Sequence, residues 1–142
     1  MSVFFNIWES NFSKDQIAGV GVGIPGPVDA KAGIIRFLPN YGWEEVPFKK
    51  LLQDKINHPV FIDNSSNNLA IAQHWYGKGK GIDNFLLITL ENGVGAGTIL
   101  NGQLIRGDVG LASEFGHISS DPNGPDCRCG RKGCIESYAG IS

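Results

Sequence analysis

The stretch Leu111-Ala112-Ser113-Glu114-Phe115-Gly116-His117, followed by Cys127-Arg128-Cys129-Gly130-Arg131-Lys132-Gly133-Cys134, holds every cysteine of the chain and one of its histidines. Thiolate and imidazole are the ligands zinc prefers, and three sulfurs with one nitrogen complete a tetrahedron that leaves no open position for a reacting water. His117, Cys127, Cys129 and Cys134 therefore read as a closed, structural zinc site. Asp121-Pro122-Asn123-Gly124-Pro125 supplies a turn that returns the chain toward His117, and Gly130 and Gly133 let it fold tightly around the ion. Three cysteines so closely spaced differ from scattered buried thiols, and an odd number cannot close into a complete disulfide framework.

Upstream, the pattern is of mixed helix and strand. Phe4, Phe5, Ile7, Trp8 and Phe12 lack a period of two, which suggests a short amphipathic helix. Ile17 to Ile24 alternates β-branched residues with Gly or Ala, as in a strand whose small-residue face lies against another backbone. Pro25-Gly26-Pro27 then turns the chain. An extended pair around Lys31-Ala32-Gly33 and a loop over Pro39-Asn40-Tyr41-Gly42-Trp43 follow. Pro47 in the first turn, with Leu51, Leu52 and Ile56, predicts a helix ending near Asn57. Val60-Phe61-Ile62 reads as a buried strand, and Ser66 to Tyr76 as a helix stopped by Gly77 and Gly79. Asn84 to Leu90, Val94 to Leu100 and Gln103 to Ile105 then predict a three-stranded meander, with Asn101-Gly102 as its hairpin turn. The class is α/β, with a seam near Gly79 to Asp83 that divides residues 1–80 from 81–142. No internal repeat is present.

Composition narrows the function classes. Of 142 residues 42% are hydrophobic, enough for one core, and 12 Lys+Arg against 14 Asp+Glu leave a formal charge of -2. That balance argues against direct nucleic-acid binding through this chain. No apolar run reaches the roughly 18 residues of a membrane helix, and Met1 to Glu9 lacks a secretory pattern, so a cytoplasmic protein is expected.

Two further clusters carry possible chemistry. Asn92-Gly93-Val94-Gly95-Ala96-Gly97 joins two predicted strands, and the N–H groups of such a turn, around Gly93, Gly95 and Gly97, can cradle a phosphate. The same pattern also serves as a plain hairpin connection, and neither the following helix of a dinucleotide fingerprint nor the Lys of a P-loop is present. Asp63-Asn64-Ser65-Ser66-Asn67-Asn68 marks the junction of a buried strand with a helix. Capping explains one or two of these polar residues, and the excess fits a ligand site at a strand end, with amides and carboxylates that can grip sugar hydroxyls. Glu114 and Glu136 would join that cluster if the zinc loop folds over it.

Together these residues resemble the ROK (repressor, open reading frame, kinase) family of bacterial sugar kinases and sugar-responsive repressors. Gly21-Val22-Gly23-Ile24-Pro25-Gly26-Pro27-Val28-Asp29 is similar to the family's Gly-Ile-Pro-Gly-Pro-Val-Asp stretch, and Pro39-Asn40-Tyr41-Gly42-Trp43 to its Pro-Asn-Leu-x-Trp loop. The quoted stretch from Leu111, continued through Glu136, resembles the family signature with all four zinc ligands present. The resemblance implies a partial actin-like ATPase (ribonuclease H-like) fold, the end of a small lobe in 1–80 and the start of a large lobe with the zinc loop in 81–142. It implies a hexose or N-acetylhexosamine held by Asn40, Asn64, Glu114, His117 and Glu136, with His117 touching zinc through one nitrogen and sugar through the other. A homo-oligomer is implied as well.

Two departures bear on activity. The family's general base is the Asp of an Asn-Asp pair, and here Ser65 stands at that position after Asn64. Serine has no accessible conjugate base near neutral pH, and the nearby Asp63 would have to substitute. The family's Asp-x-Gly-Gly-Thr phosphate loop is also not found in these residues, so no catalytic residue is assigned. The sequence therefore points first to the sugar-sensing portion of a repressor, with zinc as its cofactor. A fragment of an ATP-dependent sugar kinase is the alternative, and a zinc-stapled association module is a third reading.

Overall fold

In the computed structural model, which describes residues 16–38, 41–91, 93–108 and 110–140, two parallel strands bring the polar strand ends together. Val20–Ile24 (β1) pairs with Val60–Asn64 (β5) in a register that sets Ile24 opposite Asn64. The expected strand begins at Val20 rather than Ile17. Its glycine face lies on other backbone at Gly19 and Gly23, where an added Cβ would stand 3.0 Å from the Pro59 carbonyl oxygen and 3.5 Å from the Ser65 Cα, and is open at Gly21. The predicted helix over Phe4 to Phe12, together with Asn40 and Asn92, lies outside the described residues.

Val28–Asp29 (β2), Ile34–Leu38 (β3) and Trp43–Val46 (β4) form an antiparallel sheet. The strand β4 replaces the end of the predicted loop, because Trp43 and Val46 turn inward onto the core and Arg36 ties the sheet across its strands. Its guanidinium reaches Asp29 at 2.6 Å and Glu45 at 2.7 Å. Phe48–Ile56 (α1) follows directly on Pro47, and Asn57 ends it in the left-handed conformation with φ 52°. One core unites these parts: Ile24, Val28, Ile35, Leu38, Val60 and Ile62 are buried, with Phe48, Leu52 and Ile56 of α1 packed against them. Each such side chain contributes about 1.5–3 kcal/mol relative to exposure.

Ser65–Tyr76 (α2) begins one residue earlier than expected and is capped by Asn64, whose side-chain oxygen accepts the N–H groups of Ser66 and Asn67. Phe85–Leu90 (β6), Val94–Leu100 (β7) and Gln103–Ile105 (β8) form the predicted meander. Asn101 and Gly102 both carry positive φ, 50° and 72°, as a type I′ turn requires. Helix α2 lies before the expected seam, yet it packs against β7 beyond it. A Cβ at Gly97 would stand 2.6 Å from the Ser66 carbonyl oxygen and 2.7 Å from the Ala70 Cβ, so only glycine admits the helix at this distance. On β6, Leu86, Ile88 and Leu90 alternate outward and are exposed. A 3-10 turn at Phe115–His117 and the short helix Glu136–Ala139 (α3) complete the described elements.

Candidate functional site

The ends of β1 and β5, the start of α2, the β6–β7 turn and the cysteine loop enclose one cleft of about 810 Å³. Asn64, Ser65, Gly93, Gly95, Glu114, His117, Cys129 and Glu136, eight of the residues singled out from sequence, line it. Cys127 and Cys134 are buried behind His117. Gly97 is not in the turn. Together with Gly95 it belongs to strand β7, where its missing side chain accommodates α2. The glycine pattern thus divides by role: Gly93 alone stands in the connection, and the two others are strand residues under a helix.

The polar junction is mostly bound into the fold. Asn64 caps α2 with its carbonyl oxygen and donates from Nδ2 to the Gly26 carbonyl at 3.0 Å, which leaves one amide hydrogen for a ligand. Asp63 is buried at 7% exposure. Its Oδ1 accepts the Asn64 N–H at 2.8 Å and the Asn67 amide at 3.1 Å, and its Oδ2 accepts from Arg106 Nε at 2.8 Å. This carboxylate is thus engaged on both oxygens and is not among the residues that line the cleft. Ser65 is exposed to the cleft at the first position of α2, while Ser66 shares a hydrogen bond of 3.1 Å with Thr89 across to β6.

The turn at Gly93 is partly saturated too. The N–H of Glu91 donates to the Gly93 carbonyl at 3.0 Å, and that of Val94 donates to the Glu136 carboxylate at 3.1 Å. Glu136, the first residue of α3, thereby joins the cysteine loop to the β6–β7 turn. Glu91, Glu114 and Glu136 line the cleft together with Arg128 and His117. Burial raises the Glu114 carboxyl above the ordinary range; the charge of His117 opposes this and that of Glu136 adds to it. Thr89, Glu91, Ser113 and Arg128 were not foreseen as lining residues. Only Thr89 left a signal, a polar residue on the inward phase of an otherwise apolar strand.

His117, Cys127, Cys129 and Cys134 place their ligand atoms within 4.8 Å of one another. Metal bonds of about 2.3 Å to sulfur and 2.05 Å to nitrogen imply tetrahedral edges of about 3.8 Å between sulfurs and about 3.6 Å between sulfur and nitrogen. The Cys129 and Cys134 sulfurs stand 3.7 Å apart, and the Cys127 sulfur is 3.6 Å from His117 Nδ1. The donor set therefore fits a tetrahedral, thiophilic cation. The backbone N–H of Arg131 and then its guanidinium bring the Cys129 thiol down to about 6, whereas burial pushes Cys134 up to about 11. Since Nδ1 faces the sulfurs, His117 turns Nε2 toward Glu114, whose Oε2 lies 4.0 Å away.

Comparison with known proteins agrees with this architecture. The ROK family profile matches residues 4–141. The xylose repressor of Bacillus subtilis is 40% identical over 123 residues, which are 87% of this chain and 32% of the repressor. A ROK family transcriptional regulator described as a homologue of the Escherichia coli MLC protein superposes with a TM-score of 0.84 at 31% identity, covering 96% of this chain and 34% of the regulator. A ROK family glucokinase from Streptomyces griseus, solved with glucose and AMPPNP, gives 0.82 at 40% identity, covering 87% of this chain and 40% of the enzyme. The chain spans less than two fifths of the length of the curated relatives it matches first. With the signature residues gathered on one cleft, and with repressors and kinases alike sharing its fold, this chain belongs to the ROK family.

Proposed function

We propose that this chain is the sugar-binding portion of a ROK transcriptional regulator and that it does not transfer phosphate. The observation that carries this reading is Ser65, which occupies the cleft at the start of α2 where the family resemblance calls for a general base. Asp63 is engaged elsewhere, and the N–H groups of Glu91 and Val94 are already bonded within the fold. The ligand is a neutral hexose or N-acetylhexosamine. A hydroxyl between Glu114 and His117 accepts from Nε2–H and donates to the carboxylate, while Asn64 offers its remaining amide hydrogen and Glu136 its second oxygen.

Zinc is the cation the donor set suits best. His117, Cys127, Cys129 and Cys134 would hold it, and it would act on structure alone, fixing the loop and the His117 tautomer. Residues 1–80 then furnish the end of a small lobe and 81–142 the start of a large one. Sugar binding shifts a two-state equilibrium read by a separate DNA-binding domain, in a cytoplasmic homo-oligomer. No described helix is long and apolar enough to cross a membrane.

A second reading, a portion of an ATP-dependent sugar kinase, is favoured by the glucokinase at 40% identity. Calorimetric titration of the zinc-loaded protein with hexoses and N-acetylhexosamines, with and without ATP, separates the two. Sugar binding indifferent to ATP and no sugar phosphate after prolonged incubation are expected. Binding that requires ATP, or product formation, would overturn the regulator.

A further inference from the structure

Among the described residues, four that are not glycine carry a positive φ: Glu45, Asn57, Asn101 and Ser113. Asn57 ends a helix and Asn101 makes a hairpin, places where asparagine tolerates the left-handed region. Ser113 does neither, and it is the one of the four that lines the cleft. Its φ is +65°, and its hydroxyl is bonded at 2.6 Å to that of Thr98, which sits within β7 opposite Leu86 and Ile105.

The next residue is Glu114. Its φ of -70° and ψ of 53°, with the Phe115 N–H donating to the Ser113 carbonyl at 2.7 Å, make an inverse γ-turn with Glu114 at its apex. Beyond it, Gly116 rests on the Val94 carbonyl, at the other end of the same strand. Glu114 is thus held out between two anchors on β7, and the upstream anchor keeps a side-chain-bearing residue in a conformation it would otherwise leave.

We propose that Thr98 and Ser113 form a positioning pair, by which the rigid strand β7 aims the Glu114 carboxylate at the ligand. The inference rests on the sugar-binding reading of the cleft. Without the Thr98 hydroxyl, Ser113 relaxes toward negative φ, the peptide before Glu114 turns, and the carboxylate leaves the neighbourhood of His117 Nε2. Thr98 itself is not a lining residue, so its effect passes through the loop.

The test compares Thr98→Val, which keeps the shape and removes the hydroxyl, with Thr98→Ser, which keeps the hydroxyl. D-glucose and N-acetyl-D-glucosamine are titrated into each zinc-loaded protein. Thr98→Val raises Kd about tenfold, the equivalent of one lost hydrogen bond, and Thr98→Ser stays within about twofold. In a Glu114→Ala background, Thr98→Val has no further effect, which a general loss of stability would not reproduce. Zinc content is the same in all four.

A ligand-free measurement runs in parallel: backbone 15N order parameters over residues 113–116 fall from about 0.85 to below about 0.6 in Thr98→Val and recover in Thr98→Ser. Unchanged order with unchanged affinity in Thr98→Val overturns the pair, as does an equal loss of affinity in the Glu114→Ala background. If the parent protein binds neither sugar, the sugar reading falls, and the order parameters alone decide whether the hydroxyl pair holds the loop.

Discussion

Replacing Arg106 by Met removes a guanidinium and keeps much of the aliphatic stem, and its cost follows from the bonding of Asp63. That carboxylate is 7% exposed, and its Oδ1 retains the Asn64 N–H and the Asn67 amide. Its Oδ2 loses Arg106 Nε, its partner at 2.8 Å. A buried charged acceptor stripped of its partner costs about 1–3 kcal/mol, and breaking a fully buried ion pair about 3–5 kcal/mol. The Arg106 side chain is 43% exposed, so water reaches the vacated position and the lower range applies, about 2 kcal/mol. For a chain of this size that is a fall in Tm of roughly 6–8 °C, readable by circular dichroism or urea denaturation. Adding Asp63→Asn removes the stranded charge while its Oδ1 still accepts both donors, and the double variant regains part of the loss. A single variant that melts within a degree of the parent would refute the reasoning, since Asp63 would then have solvent or another donor. It would also reopen the question of whether this carboxylate is free to take a proton.

Cys134→Ser is expected to release bound metal, measured by mass spectrometry of the eluted ion, and to unfold the second half of the chain at lower temperature; unchanged metal content would exclude the tetrahedral site. Gly97→Ala forces α2 off β7 and lowers stability by about 1–3 kcal/mol in urea titration, and a neutral outcome would show that the helix shifts freely. The N–H of Ala32, with Arg36 and against some burial, holds the Asp29 carboxyl below its ordinary value. A depressed folded pKa contributes stability above the ordinary Asp value of about 4 and loses it as pH falls through the depressed one. Asp29→Asn should therefore flatten the acid limb of the stability profile, and an identical limb in both proteins would count against that contact.

Much of this was legible from residue order. The meander boundaries at Val94, Leu100, Gln103 and Ile105 follow from β-branched runs bracketed by turn residues, and Asn57 marks a helix end by its own left-handed backbone preference, whereas Gly77 ends α2 in an extended conformation. The cysteine spacing made the gathering of His117 with the three thiols legible, because groups so near in sequence are held near in space. Strand β4 was hidden, since its Glu44 and Glu45 resemble loop and its reason for existing is the cross-strand clasp of Arg36. Arg106 was illegible for the same reason: nothing near it in sequence distinguishes an arginine that neutralises a buried aspartate 43 positions away from one that faces water. The glycines misled in part, because a residue chosen for a turn and one chosen to admit a helix are written alike.

The seating of α2 has a mechanical consequence. Ser66 and Ala70 sit in a socket whose floor is Gly97, so the helix is fastened to the sheet of β6 to β8, although the chain reaches it from β5. Any rotation of that sheet against the β1–β5 pair pulls on the Arg106–Asp63 bridge and is felt where the helix meets its own strand. That joint is Asn64, whose amide grips both sides at once, the helix through two N–H groups and the β1 end through the Gly26 carbonyl. The residue facing the cleft is therefore also a joint, and a molecule lodged beside it would sit where the two parts of the fold are tied.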